Sequence, residues 1–143
     1  MLGQSHLKVS SGITYRLSIT GYDPRDLVYG HYLLFRFATL PLERQWGSQD
    51  GELYCFNGQE ETFQVREVSS SQRRECQAWI SKKKLDQAHR YLIPEAESVR
   101  LEQRFRSSRA EVDVIIQPEG SFTFGQLYLD GQPWQDLLRS GEN

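Results

Sequence analysis

Residues Ile13–Thr20 read Ile-Thr-Tyr-Arg-Leu-Ser-Ile-Thr. This two-residue alternation constrains the fold more than any other feature of the chain. Ile13, Tyr15, Leu17 and Ile19 fall on one face; Thr14, Arg16, Ser18 and Thr20 fall on the other. A strand with one face on a core and one on solvent needs that pattern, whereas a helix would scatter the same apolar residues around its circumference. Glu111–Gln117 repeats it, with Val112, Val114 and Ile116 set against Asp113 and Ile115. Pro118-Glu119-Gly120 then turns, and Ser121–Leu129 returns with Phe122, Phe124, Leu127 and Leu129. The pair predicts a terminal hairpin.

Other segments extend the β reading. His31–Ala38 is apolar on both faces, Tyr32 and Leu34 against Leu33, Phe35 and Phe37, and reads as a central strand covered on both sides. Glu52–Phe56 and Thr62–Val68 flank Asn57-Gly58, a hairpin signal, with Gln59-Glu60-Glu61 lengthening the loop. Ser69–Glu75 is short and polar and reads as a loop. Glu75–Ser81 supplies the next strand, Ser81–Gln87 a basic connection and His89–Ile93 a short strand. Pro94 opens a helix to about Arg106, with Glu95 and Glu97 in its first turn and Leu101 and Phe105 as its apolar face; a strand through Val99 and Leu101 is the alternative. Asp130-Gly131-Gln132-Pro133 turns again, and Trp134–Leu138 packs back. The expected fold is α+β and predominantly β: an antiparallel sheet, barrel-like or sandwich, with one or two short helices. The expected organisation is an N-terminal extension over 1–12, one domain over 13–139 and a tail over 140–143.

Composition limits the function classes. Seventeen Lys and Arg against 19 Asp and Glu, in 143 residues, leave no basic excess for nucleic acid or an anionic membrane surface. No apolar run approaches the roughly 18 residues of a membrane span, and Met1–Gly12 shows no signal-peptide core. The histidines are His6, His31 and His89, and no H-x-H, H-x-x-x-H or C-x-x-C spacing accompanies them, so neither a metal nor another cofactor is expected. Cys55 and Cys76 are the two cysteines. In a meander with Thr62–Val68 between their strands they would stand about 9–10 Å apart, at ~4.8 Å per strand. A disulfide needs Cα atoms within about 7 Å, so pairing requires a different strand order.

The segment Tyr22–Phe37 has a local reading first. Asp23 can cap a helical turn, Pro24 fits its first position, Asp26 can return the hydrogen bond, and Gly30 can end it. The same residues resemble the family named for its GDYXXLXY motif. Asp23-Pro24-Arg25 and Leu27 match, as do Gly30 and Tyr32; Phe35 and Phe37 stand for the family's Leu and Tyr, and His31 replaces its Asp. Arg90-Tyr91-Leu92-Ile93-Pro94-Glu95 is similar to the family's R-Y-F-V-P-E, and Leu127-Tyr128-Leu129-Asp130-Gly131 to its L-x-V-D-G.

The resemblance implies a small bacterial protein with one extracytoplasmic domain, tethered to the inner membrane by an N-terminal helix absent from this chain. Without such a helix it would be cytoplasmic. It also implies a non-enzymatic accessory of a multi-pass membrane protein. The residues carried over as a binding or structural motif are Asp23, Pro24, Arg25, Asp26, Leu27, Gly30, Tyr32, Arg90, Tyr91, Pro94 and Glu95. The competing reading is a hydrolase with a polar pocket near Asp23, Arg25, Asp26 and Arg90. Charge matching predicts that Arg90 or Glu95 contacts the Asp23–Asp26 corner.

Overall fold

The computed structural model describes residues 12–21, 28–29, 32–38, 51–60 and 62–136. Its strands, in chain order, are β1 (Ile13–Gly21), β2 (Val28–Tyr29), β3 (Tyr32–Phe37), β4 (Leu53–Gly58), β5 (Phe63–Val68), β6 (Ala78–Ser81), β7 (His89–Leu92), β8 (Ala110–Ile116), β9 (Phe122–Leu129) and β10 (Gln132–Pro133). The helices are a 3₁₀ segment at Ser70–Glu75, α1 (Lys82–Leu85), a 3₁₀ turn at Glu95–Glu97 and α2 (Ser98–Ser107). The expected fold class is the one observed: mostly β, antiparallel, with few short helices. One sheet runs β10-β9-β8-β1-β3-β2, with β7 on β3; the other runs β5-β4-β6.

Contacts group the chain into two compact units. Of the described residues, the first holds 12–16, 51–60, 62–85 and 114–124, and the second 17–21, 28–29, 32–38, 86–113 and 125–136. The expected extension over 1–12, Gly12 apart, and the tail over 140–143 lie outside the described residues.

In the first unit β4 is the central strand. Leu53, Tyr54, Cys55 and Phe56 are all buried, so both of its faces are covered. On one face Leu53 and Cys55 pack with Val68, Cys76 and Trp79. On the other, the Phe56 ring lies 5.1 Å from Tyr15, whose own ring is 5.1 Å from Phe63. Burial raises the Tyr15 phenol above its usual range, and its hydroxyl has no hydrogen-bond partner among the described residues.

Two expectations about this unit are corrected. The β4–β5 loop is not lengthened past Asn57-Gly58. Both residues belong to β4, Gly58 stands opposite Phe63, and Gln59 and Thr62 exchange backbone hydrogen bonds of 3.0 and 3.1 Å. The chain between the two strands runs from Gln59 to Thr62. The sheet is also not a meander. β6 pairs with β4, Cys55 opposite Trp79, instead of with β5. This removes the intervening strand, and Cys55 and Cys76 form a disulfide with Cα atoms 5.3 Å apart.

The polar stretches on either side of β6 are also more ordered than their composition suggests. Ser70–Glu75 is a 3₁₀ helix whose entry is fixed by the Ser69 N–H donating to the Gln72 side chain at 3.0 Å. Lys82–Leu85 is one α-turn rather than a loop, because Leu85 is fully buried and anchors it. Lys82 donates to Glu67 at 2.6 Å. Gly120 closes the hairpin turn with φ +95°, and a Cβ there would stand 2.4 Å from the Trp79 ring. Conformation and space both require glycine at this position.

In the second unit β1 buries Leu17 and Ile19 as the alternation predicts. β3 is internal, bonded to β1 and β2 and, through Tyr32–Phe35, to β7. Its expected double covering does not hold. Leu33 and Phe35 are buried, but Tyr32, Leu34 and Phe37 are half-buried and Arg36 is exposed. Helix α2 forms where expected, with Leu101 and Phe105 buried and Val99 exposed. At the end of β9, Asp130 and Gly131 both have positive φ, 52° and 81°. They form a two-residue hairpin of the Asp-Gly kind, and Gln132–Pro133 pairs back as β10 rather than belonging to the turn.

Phe35 has no exposed surface. Phe35→Ser therefore removes a large buried ring and leaves a hydroxyl without water. The expected loss is about 4 kcal/mol in chemical denaturation. An unchanged unfolding midpoint would contradict the strand's placement.

Candidate functional site

The site residues named from sequence fall on three stretches, and the structure places two of them together. Asp23–Leu27, with Gly30 and His31, lie outside the described residues. Val28 and Tyr29 are extended and pair with β3, and the helical turn expected over Asp23–Asp26 lies outside the described residues. The predicted contact of Arg90 or Glu95 with the Asp23–Asp26 corner falls on undescribed residues. The two family-like segments do meet along another line. β3 and β7 are antiparallel neighbours, with Tyr32 opposite Leu92, Leu33 opposite Tyr91, Leu34 opposite Arg90 and Phe35 opposite His89.

This register sorts the residues by face. Leu33, Phe35, His89 and Tyr91 point one way. Tyr32, Leu34, Arg90 and Leu92 point the other. On the first face the His89 ring lies 5.2 Å from Phe37 and 5.8 Å from Phe35. Tyr91 is half-buried there, and burial pushes its phenol above the usual range. The carboxylate of Asp113 adds to the rise, while the Leu127 backbone and the Trp134 indole pull it back. The indole N–H is near enough to act on the phenol but makes no well-formed hydrogen bond. Asp113 also accepts the Tyr128 hydroxyl at 3.0 Å.

The second face carries the exposed groups. Leu92 is 73 % exposed, the largest exposure among the described large apolar side chains. The Arg90 guanidinium lies diagonally across the strand pair, 4.9 Å from the Tyr32 ring centroid. That is cation–π range. Pro94 and Glu95 follow as the exposed entry to the 3₁₀ turn, where the Glu95 carbonyl accepts the Ser98 hydroxyl at 2.9 Å. Their role there is to start the helix.

Sequence reasoning identified Tyr32, Arg90 and Tyr91 but not what surrounds them. Asp113, Tyr128 and Trp134 were assigned only to strands or turns. Leu92 was counted as an ordinary strand residue. Alternation within His89–Ile93 separates its two faces, but only the partner register shows which one is outward. The described residues also include a shallow depression of ≈ 300 Å³ lined by Ile19, Thr20, Gly21, Phe105, Arg106, Ser108 and Ala110. Among the described residues no cluster of His, Cys, Asp and Glu could hold a metal ion, and no helix is long and apolar enough to cross a membrane.

Two measurements probe this site. A double-mutant cycle between Arg90→Ala and Tyr32→Leu should give a coupling of about 0.5–1 kcal/mol, the range of an exposed cation–π pair. A value indistinguishable from zero would make the pairing incidental. The raised Tyr91 phenol has a pH consequence of definite sign. Its folded pKa lies above the unfolded 10.0. The native state therefore holds that proton more tightly, and its full contribution is present below about pH 10 and is lost as pH rises through the folded value. Tyr91→Phe should flatten the fall in stability above pH 10, read from denaturation midpoints. An equally steep fall in the variant would assign it to other groups.

The comparisons with known proteins join these segments into one assignment. No curated protein and no solved structure matches the chain. The family model of the GDYXXLXY protein matches residues 1–127, which takes in β3, β7 and the hairpin from β8 into β9. With 127 of the 143 residues covered, the chain belongs to the GDYXXLXY protein family.

Proposed function

We propose that this chain is a non-enzymatic, extracytoplasmic binding domain that docks on a membrane protein through the outer face of β3 and β7. The observation that carries the reading is Leu92, 73 % exposed on a strand whose neighbours on that face are Tyr32, Leu34 and Arg90. Tyrosine and arginine side by side, next to an exposed apolar side chain, are the chemistry of a protein-binding hot spot. The face lies within the two segments that carry the family pattern.

The compartment is inferred from the disulfide. Cys55–Cys76 is a covalent cross-link, and such bonds persist in oxidising surroundings outside the cytoplasm. The hydrolase alternative rests on Asp23, Arg25 and Asp26, which lie outside the described residues. Of its group only Arg90 is placed, and Arg90 faces Tyr32. Nothing among the described residues favours that alternative.

The test uses the full-length protein in its native membrane. A photo-cross-linking residue at Leu92 should capture a membrane protein. Leu92→Asp should reduce recovery of that partner at least tenfold while leaving the thermal midpoint nearly unchanged. Val99→Asp, on the exposed side of α2, serves as control and should leave recovery unchanged. Full recovery with Leu92→Asp would overturn the docking face.

A further inference from the structure

We propose that the Cys55–Cys76 disulfide is a thiol-exchange site with a fixed polarity: Cys76 is the sulfur attacked and Cys55 the sulfur that leaves. The inference concerns the first unit and does not rest on the docking face.

The two cysteines differ in exposure. Cys55 is fully buried in the centre of β4. Cys76 is half-buried and directly follows a 3₁₀ helix in which Ser70–Glu75 are all exposed. An incoming thiolate therefore reaches Cys76 first. The sulfurs also differ in the groups aimed at them. The Asn57 Nδ2 lies 3.6 Å from the Cys55 Sγ, and the Arg66 Nη2 lies 3.8 Å from it. Both groups are held in place. The Asn57 Oδ1 accepts the Gln77 N–H at 2.9 Å, which turns the amide N–H toward Cys55. Arg66 is steadied by Glu75 at 3.6 Å.

An amide donor and a guanidinium on one sulfur stabilise negative charge there. Burial acts against this. A cation or an amide donor beside a cysteine sulfur favours its thiolate. A better-stabilised thiolate is a better leaving group in disulfide exchange. The approach to Cys76 is basic. Arg73 and Arg74 are exposed beside it, and the Arg73 guanidinium lies 5.6 Å from the Trp79 ring centroid. Those charges favour an anionic reductant.

The chemistry balances with two equivalents of thiol. The first thiolate bonds to the Cys76 Sγ as the Cys55–Cys76 bond breaks, and the electron pair leaves on the Cys55 Sγ. The second thiolate attacks the mixed disulfide, releasing oxidised reductant and the Cys76 thiolate. Two thiols are oxidised and one protein disulfide is reduced.

The experiment follows reduction of the folded protein by glutathione, which is anionic, and by cysteamine, which is cationic. Rates are corrected for each reagent's thiolate fraction, and products are acid-quenched and alkylated for peptide mass spectrometry. Expected are a rate at least about threefold higher with glutathione, early mixed disulfide on the Cys76 peptide, and reduction about tenfold slower in Arg66→Met at an unchanged thermal midpoint. If Arg66→Met fails to fold, Asn57→Ala should slow reduction in the same sense. In Cys76→Ser, absorbance at 240 nm should show the Cys55 thiol ionising below about 8.5, and adding Arg66→Met should raise it. Mixed disulfide on Cys55, reduction only under denaturing conditions, or rates indifferent to both Arg66 and Asn57 would overturn the proposal and leave an inert structural cross-link.

Discussion

The burial of β4 on both faces is the constraint on which the first unit depends. Four consecutive residues, Leu53–Phe56, are hidden, and hiding both faces of a strand requires a neighbour on each edge as well as cover above and below. β5 and β6 supply the edges. Val68, Cys76 and Trp79 cover the Cys55 side, and Tyr15 and Phe63 the Phe56 side. Once β4 is central, the rest follows. β6 must lie against it, so Cys76 comes within reach of Cys55. β5 and β6 both run antiparallel to β4 and so parallel to each other, and the segment between them, which holds the 3₁₀ helix, must return along one face of the sheet. The Trp79 side chain must be covered, and Gly120, with no Cβ to clash, lets the hairpin turn approach it.

The second unit depends on β3 in a related but weaker way. β3 has partners on both edges but is fully covered on one face only. That difference separates a core strand from a strand that can carry a surface. Leu33 and Phe35 anchor the strand, and the opposite positions are then available for a role at the surface. Arg36, exposed in the middle of so apolar a run, marks the uncovered side.

What the sequence disclosed, and what it did not, follows from the range of each signal. Period-two alternation is local, and it placed β1, β8 and the paired strand β9 together with their buried residues. The helix through Leu101 and Phe105 was legible for the same reason. Strand order is not local. Nothing in Glu52–Ser81 distinguishes 5-4-6 from a meander, and the disulfide followed the order that was not assumed. The apolar run at Tyr32–Phe37 suggested cover on both faces, yet Leu53–Phe56, a shorter run, is the one so covered. Run length reports hydrophobicity; the number of covered faces is set by which sheets stack. The Asn57-Gly58 dipeptide marked the neighbourhood of the hairpin but not its turn: both residues sit in the β4 ladder, which ends at the Gly58–Phe63 pair.

The family pattern itself can be read from the β3–β7 register. In the stretch from Gly30 to Phe37, the motif positions held by Phe35 and Phe37 lie two apart and share the inner face. Tyr32, three before Phe35, necessarily lies on the other. Inner positions ask only for apolar bulk, which explains why Phe serves where the motif has Leu and Tyr. Tyr32 is held to a different demand, because Arg90, from the second family segment, sits over its ring. Tyr91, the next residue of that segment, points inward and meets Asp113 and Trp134. Consecutive residues of one short strand thus serve the two sides of the sheet. The pattern is therefore better understood as a pair of facing strands than as two separate motifs, with its inward positions, unlike Tyr32, Arg90 and Leu92 on the outer face, set by packing.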